Sequence, residues 1–376
     1  MSTDSLIVVG NGFIGNYLAW NVPSNKTFAL TRNFKQEILD LPLSESYIIV
    51  WAHGESRGPT IRESQLGTLT ECVNSIKDRG LKIRKHIYIS STKVCEDPDS
   101  EFSKVKRECE NYILSLDSSV QVLRTPNVYG TFSSVKPNSI LSRWMLDSES
   151  IVATPAVREF VSLRALSSFI RDEVWDHNQA LINTVRGVPC VMSEIGEHLA
   201  RLRDVNFKPF EGLALSGGFV PEDSHGDVYL GCGFDIFSEL GNHQKSSEYA
   251  SSLLSRVQQS ERFHRRPDSD HFLQDLDSEV LDGLKRVYVF NILGGHMRGG
   301  HYHREQTEVF YVLNGECEIK LEQGGCSGVI TLAQGQYIKV LPFEQHTFWA
   351  KNSDVQILAV SDFAYIPNSV PDTFEY

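Results

Sequence analysis

One stretch near the end of the chain, GGHMRGGHYHREQTEVFYVLNGE, restricts the fold more than any other. His301 and His303 are separated by a single residue, so they face the same way only if the backbone there is extended, where successive side chains alternate. Glu308 follows, and glycines stand at Gly295 and Gly315, which gives the spacing G-x5-H-x-H-x4-E-x6-G. Two imidazoles and a carboxylate on one face make a donor set for zinc, iron, manganese or nickel. A second segment, GQYIKVLPFEQHTF, contributes Pro342 and then His346. A fold that brings these two segments together has to be built from strands.

The surrounding sequence agrees. Beyond about residue 271 the chain reads as short strands at 287–291, 308–313, 318–321, 329–332, 337–340 and 355–361, a spacing that fits an all-β barrel or jelly roll. Together with the glycine, histidine and glutamate spacing, this region resembles the cupin barrels, whose first metal-binding signature is matched at every fixed position. The second signature is looser: Glu344 stands where a glycine usually follows the proline, and His346 arrives one residue early. The resemblance implies a divalent metal, zinc first among the choices, held by His301, His303, Glu308 and His346. It also makes His303 a candidate catalytic residue, with Tyr302 and the neighbouring titratable groups as further candidates for a base.

The first part of the chain follows a different rhythm. A short apolar run at 6–9 enters Gly10-Asn11-Gly12-Phe13-Ile14-Gly15, and Tyr17, Leu18 and Trp20 follow with helical spacing. In a strand, G-x-G-x-x-G, helix sequence the glycines permit a tight turn and close approach to a pyrophosphate at the helix N-terminus. A second strand at 27–31 ends in Thr31-Arg32-Asn33, about twenty residues on, where an acid would accept the ribose 2'-hydroxyl of NAD. Arg32 there better matches the 2'-phosphate of NADP(H). Further strands at 47–51 and 85–92, with a helix at 60–77 between them, predict a parallel, doubly wound Rossmann-type sheet with ligand at the carboxyl ends of its strands.

Several motifs then fall in order: Ser90-Ser91-Thr92, Phe102-Ser103-Lys104-Val105-Lys106 with Glu110, Leu123 to Gly130 (LRTPNVYG), and Arg158-Glu159-Phe160-Val161. As a set they resemble the extended short-chain dehydrogenase/reductase superfamily over residues 1–205. The resemblance implies cofactor contacts from Gly10, Gly12, Phe13, Ile14, Gly15, Arg32 and Lys106, and catalytic roles for Lys106, Ser91 and Thr92. It also implies substrate contacts from Asn127 and Arg158, although Asn127 beside Pro126 reads equally well as a turn residue. One departure bears on the chemistry. The family's Tyr-x-x-x-Lys falls on Phe102 and Lys106, and phenylalanine has no proton to give to a developing alkoxide. Proton relay through Ser91, Thr92 or water, a tyrosine from elsewhere in the fold, and a domain that binds without reducing are the three ways to read it.

Composition narrows the partners. The net charge of -12 argues against nucleic acid or an anionic membrane as a main partner. Seven scattered cysteines, none in C-x-x-C, read as reduced thiols, and neither a secretory leader nor a membrane-length apolar run is visible. A cytoplasmic protein is expected. Residues 206–270 carry no assignable chemistry, apart from helical spacing around Tyr249, Leu253, Leu254 and Val257, and end in a charged, proline-broken stretch that reads as a linker. The expected organisation is therefore α/β plus β: a reductase-like domain at 1–205, an unassigned remainder and linker at 206–270, and a cupin at 271–376.

The pairing of such a reductase with a cupin resembles the bifunctional capsular polysaccharide assembling protein family of the UDP-N-acetyl-L-fucosamine pathway. Carrying that resemblance are Ser90-Ser91-Thr92 shortly before Phe102, Lys136-Pro137-Asn138, Arg298-Gly299-Gly300-His301-Tyr302-His303 and the closing PDTFEY. Cupin 3,4-ketoisomerases of nucleotide sugars carry a similar Arg-Gly-x-His-x-His stretch. The resemblance implies a cupin that epimerises or isomerises a UDP- or dTDP-linked 4-keto-6-deoxy sugar, a reductase domain that uses NADPH, and a homodimer. Two alternatives stay open: a first domain that only binds cofactor or sugar nucleotide, and two domains joined for unrelated substrates.

Overall fold

The computed structural model describes residues 4–10, 12–22, 24–54, 58–116, 118–130, 141, 144, 150–175, 181–209, 227–230, 236–259, 263–265, 272–274, 285–362 and 374–375. Lys136-Pro137-Asn138 and most of the closing PDTFEY lie outside them. The chain divides into two compact units, one spanning residues 1–241 apart from 131–134, the other running from 242 to 376.

The first unit is built on a seven-stranded sheet. Its strands are β1 (Ser5–Val9), β2 (Thr27–Leu30), β3 (Ser46–Trp51), β4 (Lys82–Ser91), β5 (Ser119–Thr125), β9 (Leu181–Arg186) and β12 (Asp227–Tyr229), in the order β12-β9-β5-β4-β3-β1-β2. All pairings are parallel. A parallel sheet covered on both faces needs strands that are apolar throughout. The sequence supplies them: Leu6, Ile7, Tyr47, Ile48, Ile49, Val50 and Trp51 are completely buried. Helices α1 (Phe13–Asn21), α2 (Phe34–Leu39), α3 (Thr68–Arg79), α4 (Glu101–Leu114), α5 (Leu163–Phe169) and α6 (Met192–Arg203) connect or flank the strands. Ser100 caps α4 by accepting from the Ser103 N–H, and Gly80 closes α3 with φ +72°, a left-handed end that glycine adopts without strain. Two smaller sheets, β6 (Asn127–Tyr129) with β8 (Val157–Ser162) and β10 (Val188–Val191), and β7 (Ser150–Ala153) with β11 (Asn206–Pro209), pack around Ile195 and Leu199 of α6. Strand order reverses between β1 and β3. The doubly wound expectation is met, and the reversal point is where such sheets take ligands.

Among its described residues the second unit is all-β apart from the part of α7 (Ile236–Arg256) that falls in it. One five-stranded sheet orders β13 (Gln258–Gln259), β21 (Gln336–Val340), β18 (Glu308–Asn314), β23 (Val355–Ser361) and β16 (Arg286–Ile292). The other orders β20 (Cys326–Ala333), β19 (Glu316–Gln323), β22 (Gln345–Trp349), β17 (Met297–Tyr302) and β24 (Phe374–Glu375). Every pairing is antiparallel. Phe310, Val312, Ile319, Leu321, Ile330, Leu332, Ile338, Phe348 and Ile357 fill the space enclosed by the two sheets, as in a cupin. A separate antiparallel pair joins β14 (Phe263–Arg265), in the stretch read as a linker, to β15 (Phe272–Gln274), just beyond the expected start of the cupin at 271.

Residues of α7, which the sequence left unassigned, join this core. Leu253 is completely buried in it, a contribution of roughly 2 kcal/mol for a leucine taken out of water. Gly328 of β20 permits the contact, since a Cβ there would stand 2.8 Å from Leu253 Cδ1 and 3.0 Å from Ala250 Cα. The Ser327 N–H adds a hydrogen bond to Ser246 Oγ at 3.2 Å. No helix among the described residues is long and apolar enough to cross a membrane, and none of the six described cysteines is in a disulfide.

Candidate functional sites

In the second unit, β17 and β22 place histidines directly opposite each other. His301 pairs with His346, and a bulge between Gly299 and His301 sets that register. Gly299 and Gly300 take φ +111° and +86°, and a Cβ on Gly299 would fall 2.5 Å from the His346 carbonyl oxygen, so the bulge depends on glycine. The ring of His301 lies 5.0 Å from that of His303 and 4.6 Å from that of His346, and the nitrogen ligand atoms of all three are within 4.8 Å of one another. Glu308 Oε2 stands 3.3 Å from His303 Nε2 and 3.6 Å from His346 Nε2. The three expected histidines therefore converge, and Glu308 lies against two of them.

The donor set fits a metal ion. Two ligands each ~2.1 Å from a tetrahedral centre are about 3.4 Å apart, close to both carboxylate distances. Protonation states fit as well. Burial holds His346 down to about 4, so its imidazole is neutral and its lone pair is available at ordinary pH. Burial alone would raise Glu308, but the hydrogen bond from His303 and the charges of His346 and His303 outweigh it and keep the carboxyl below its usual range. Its other oxygen accepts from Tyr288 Oη at 2.8 Å and Gln306 Nε2 at 2.5 Å. Such outer contacts orient a ligating carboxylate.

Tyr288 and Gln306 escaped the sequence reading, as did the approach to the cluster. Inward residues of β16 alternate Arg286, Tyr288, Phe290, and the last two rings stack at 5.9 Å. The Arg286 guanidinium lies 4.5 Å over Tyr288, and Arg298 lies 4.6 Å over Phe290. Alternation in 287–291 was visible, but only the fold says which face is inward. Tyr302, the last residue of β17, falls between His301 and His303 and so points away from them. Its ring stacks on Phe343 and Phe374 instead, which weighs against a role as base.

Glu344, which stands in place of the usual glycine, is 1% exposed and densely bonded. Its Oε1 accepts from Arg256 Nη1 at 2.6 Å and Tyr249 Oη at 3.0 Å, and its Oε2 from Arg256 Nη2 at 2.7 Å and the Leu341 N–H at 2.8 Å. Burial pushes its carboxyl up, and the Arg256 contacts more than reverse that. The preceding Phe343 sits at φ +65°, a left-handed conformation that costs a non-glycine residue about 1–2 kcal/mol.

In the first unit the glycine turn is well formed. Gly10 has φ +102°, and a Cβ on it would stand 2.8 Å from His53 Cα beyond β3. A Cβ on Gly15 would lie 1.8 Å from the Gly10 oxygen, so the helix can pack here only through glycine. Gly12 caps α1 and has nothing within 4 Å of its Cβ position, which leaves open space above the helix N-terminus. These are the three separate glycine roles of a dinucleotide turn. Phe13 and Ile14 are half-buried in the first turn of α1. Arg32 is exposed at the carboxyl end of β2. The nearby acid Glu37 has both oxygens engaged by Thr31, from the N–H at 2.7 Å and the hydroxyl at 2.6 Å.

Lys106 is buried on α4, donates to the Ile89 carbonyl at 3.2 Å and lies 4.9 Å over the Tyr88 ring. Burial lowers it to about 8, against the opposing pull of Cys109 and Glu110. Phe102 is half-buried one helical turn before it. Tyr88 does not replace the missing phenol, because it is buried with its hydroxyl toward Cys109 and its pKa raised well above the ordinary value by burial. Ser91 Oγ accepts from the Lys93 N–H at 3.2 Å, and Thr92 is buried. Ser90 and Glu110 are structural: the buried carboxylate accepts from Ser90 Oγ at 2.5 Å and holds Arg124 through Nε at 3.0 Å and Nη2 at 2.6 Å. Asn127 is exposed and donates to the Glu159 carbonyl at 3.1 Å, while Arg158 is exposed on β8. His53 was missed; its Nε2 lies 3.0 Å from the Gln65 carbonyl, and burial lowers it to about 4.

Fold and sites together define a Rossmann-type α/β unit with a dinucleotide-type glycine turn, joined to a cupin-like unit with a three-histidine, one-carboxylate cluster. Residues 271–368 match the family model described as FdtA: WxcM-like, C-terminal. Similar solved structures include the capsular polysaccharide assembling protein CapF from Staphylococcus aureus, at 15% identity and TM-score 0.42, covering 99% of each chain. Another is the UDP-N-acetylglucosamine 4-epimerase from Methanobrevibacter ruminantium, at 16% identity and TM-score 0.48, covering 67% of this chain and 100% of that one. A third is the QdtA 3,4-ketoisomerase from Thermoanaerobacterium thermosaccharolyticum, at 20% identity and TM-score 0.27, covering 32% and 88%. No curated protein sequence matches the chain.

Proposed function

We propose that the protein is a bifunctional nucleotide-sugar enzyme of surface-polysaccharide precursor synthesis. In this reading the cupin unit epimerises or isomerises a UDP- or dTDP-linked 4-keto-6-deoxy sugar, and the first unit binds NADP(H) and reduces the ketone. The observation that carries it is the convergence of His301, His303, His346 and Glu308 beside two guanidiniums, Arg286 and Arg298. In a chain of net charge -12, arginines laid over aromatic rings at a buried cluster suit an anionic substrate such as a sugar diphosphate. The family-model match over 271–368 agrees with a cupin of this kind.

The four side chains would hold a divalent cation, zinc by preference, which supplies polarisation of a carbonyl oxygen when bound. Neutral His346 and ionised Glu308 keep the donor set deprotonated, and Tyr288 and Gln306 fix the carboxylate. A ketone acidifies the adjacent C–H; the proton leaves one face of that carbon and returns to the other. In the first unit Gly10, Gly12, Phe13, Ile14 and Gly15 receive the dinucleotide pyrophosphate, Arg32 the 2'-phosphate and Lys106 the nicotinamide ribose. NADPH held there would supply hydride to the ketone carbon, and the proton for the resulting alkoxide would come by relay through Ser91, Thr92 or water. Ser91 or Thr92 holds the ketone oxygen, and Asn127 and Arg158 contact the sugar nucleotide. The boundary between the functions is taken where the two compact units divide, with a homodimer as the working assembly.

One observation favours a second reading. Phe102 lies one turn from Lys106 and leaves the reductase site without its proton donor, so the first unit would bind cofactor or sugar nucleotide while chemistry resides in the cupin. A single experiment addresses both: UDP- and dTDP-4-keto-6-deoxy sugars incubated in heavy water with metal-loaded protein, with and without NADPH, and read by mass spectrometry. Deuterium uptake without NADPH is expected from the cupin, and a further gain of two mass units with NADPH reports reduction. No exchange into any keto sugar overturns the cupin assignment.

A further inference from the structure

The ion pair between half-buried Arg256 and buried Glu344 has no part in the chemistry above, yet it meets the proposed metal cluster through two routes. Glu344 is two residues before His346 in the turn joining β21 to β22. Phe343 in the same turn donates its N–H to the His303 carbonyl oxygen at 2.6 Å. The turn therefore touches the backbone of two proposed ligands. Its conformation is an unfavourable one, with Phe343 left-handed, and something must hold it. Arg256 does so from α7: both guanidinium nitrogens grip Glu344, and one also donates to the Lys339 carbonyl at the end of β21. Tyr249, two turns earlier on the same helix, donates to the same carboxylate.

We infer that Arg256 and Glu344 form a positioning clamp: α7, through this ion pair, sets the main-chain position of His346 and His303 and so tunes the affinity and geometry of the metal centre. This rests on the metal reading given above. It adds to that reading a segment, residues 242–256, that lies before the 271–368 match and would not be counted in a cupin by its signatures alone. A charge pair this buried is weak evidence for stability in itself, since burial of both ions offsets their attraction. Its value here is in fixing one arrangement of a turn that would otherwise relax.

The test uses the full chain and cobalt(II), whose visible spectrum reports coordination geometry. Co(II) affinity and spectrum are measured for the native protein, Glu344→Gln, Arg256→Lys, Arg256→Leu and, as a control for simple loss of packing, Leu253→Ala. Contacts that orient ligands typically govern 10–100-fold in metal affinity. Glu344→Gln and Arg256→Leu are expected to bind Co(II) at least tenfold more weakly with a shifted spectrum, and Arg256→Lys to recover part of the loss. Leu253→Ala should lower the melting temperature while keeping affinity within about twofold. Should Arg256→Leu not fold, Glu344→Gln and Arg256→Lys decide. Native affinity and spectrum in Glu344→Gln overturn the clamp, as does an equal loss in Leu253→Ala. A native protein that binds no Co(II) would instead overturn the metal reading, so the two failures are distinguishable.

Discussion

The two candidate sites are furnished to different degrees. In the cupin unit Glu308 is held by Tyr288 and Gln306, and His301 stands in register with His346. In the Rossmann-type unit the binding parts are in order, from the glycine turn to a buried Lys106 on the Ile89 carbonyl, but the position that should carry a phenol carries Phe102. On the proposed reading a binding site and a reactive site thus separate within one fold. Cofactor recognition depends on backbone shape and charge, which the glycines and the lysine preserve, whereas proton transfer depends on one hydroxyl.

The contrast can be broken most directly at Phe102. Phe102→Tyr is expected to raise NADPH oxidation with a keto-sugar substrate about 10²–10⁴-fold, the usual range for a restored general acid, in a stopped absorbance assay. An unchanged rate would mean that protons come from elsewhere. On the other side, His303→Ala should weaken zinc binding roughly 10²–10³-fold, one ligand's share of a four-ligand site, and abolish deuterium exchange while leaving NADPH binding intact. Calorimetry with each ligand measures both.

Acid sharpens the comparison further. His86 in the first unit, through burial and the nearby Lys77 charge, and His346 in the second, through burial, are each lowered to about 4 from 6.5. Between those values the unfolded chain takes up protons that the folded chain refuses, so stability is full above 6.5 and falls as pH drops toward 4, by on the order of 3 kcal/mol per histidine. Circular dichroism melts across this range should show the loss in both units, and saturating zinc should delay it in the second alone. The smallest effect is expected at Arg32, an exposed residue. Arg32→Ala should reduce the preference for NADPH over NADH about tenfold, read from the two dissociation constants.

Much of this was legible in sequence where a local rule decides it. The G-x-G-x-x-G spacing prescribes a turn with three distinct demands on glycine, and all three are met at Gly10, Gly12 and Gly15. The His-x-His alternation placed two imidazoles on one face because strand periodicity is a local property, although the same rule turns Tyr302, read as a candidate base, to the other face. What stayed hidden depends on contacts distant in sequence. Glu344 looked like a departure from a pattern because its partners, Arg256 and Tyr249, lie almost a hundred residues earlier on a helix with no signature. The role of α7 was invisible for the same reason: its spacing announced a helix, but not that Gly328 would leave room for Leu253. Glu37, which occupies Thr31 and leaves Arg32 as the exposed charge, likewise shows only in three dimensions.

The bulge at Gly299 and Gly300 has a consequence of parity. On β22, Phe348 and His346 are two apart and share the inner face; on β17 their partners, Arg298 and His301, are three apart. In an unbroken strand an odd separation sends side chains to opposite sides, so one of the two would face away from the cluster. The extra residue makes the count even in effect, and a cationic group and a proposed metal ligand come to the same face of the sheet from a single short run of chain. Straightening the bulge with every residue kept would turn one of the two outward, whereas deleting Gly300 would make their separation even and keep both on one side.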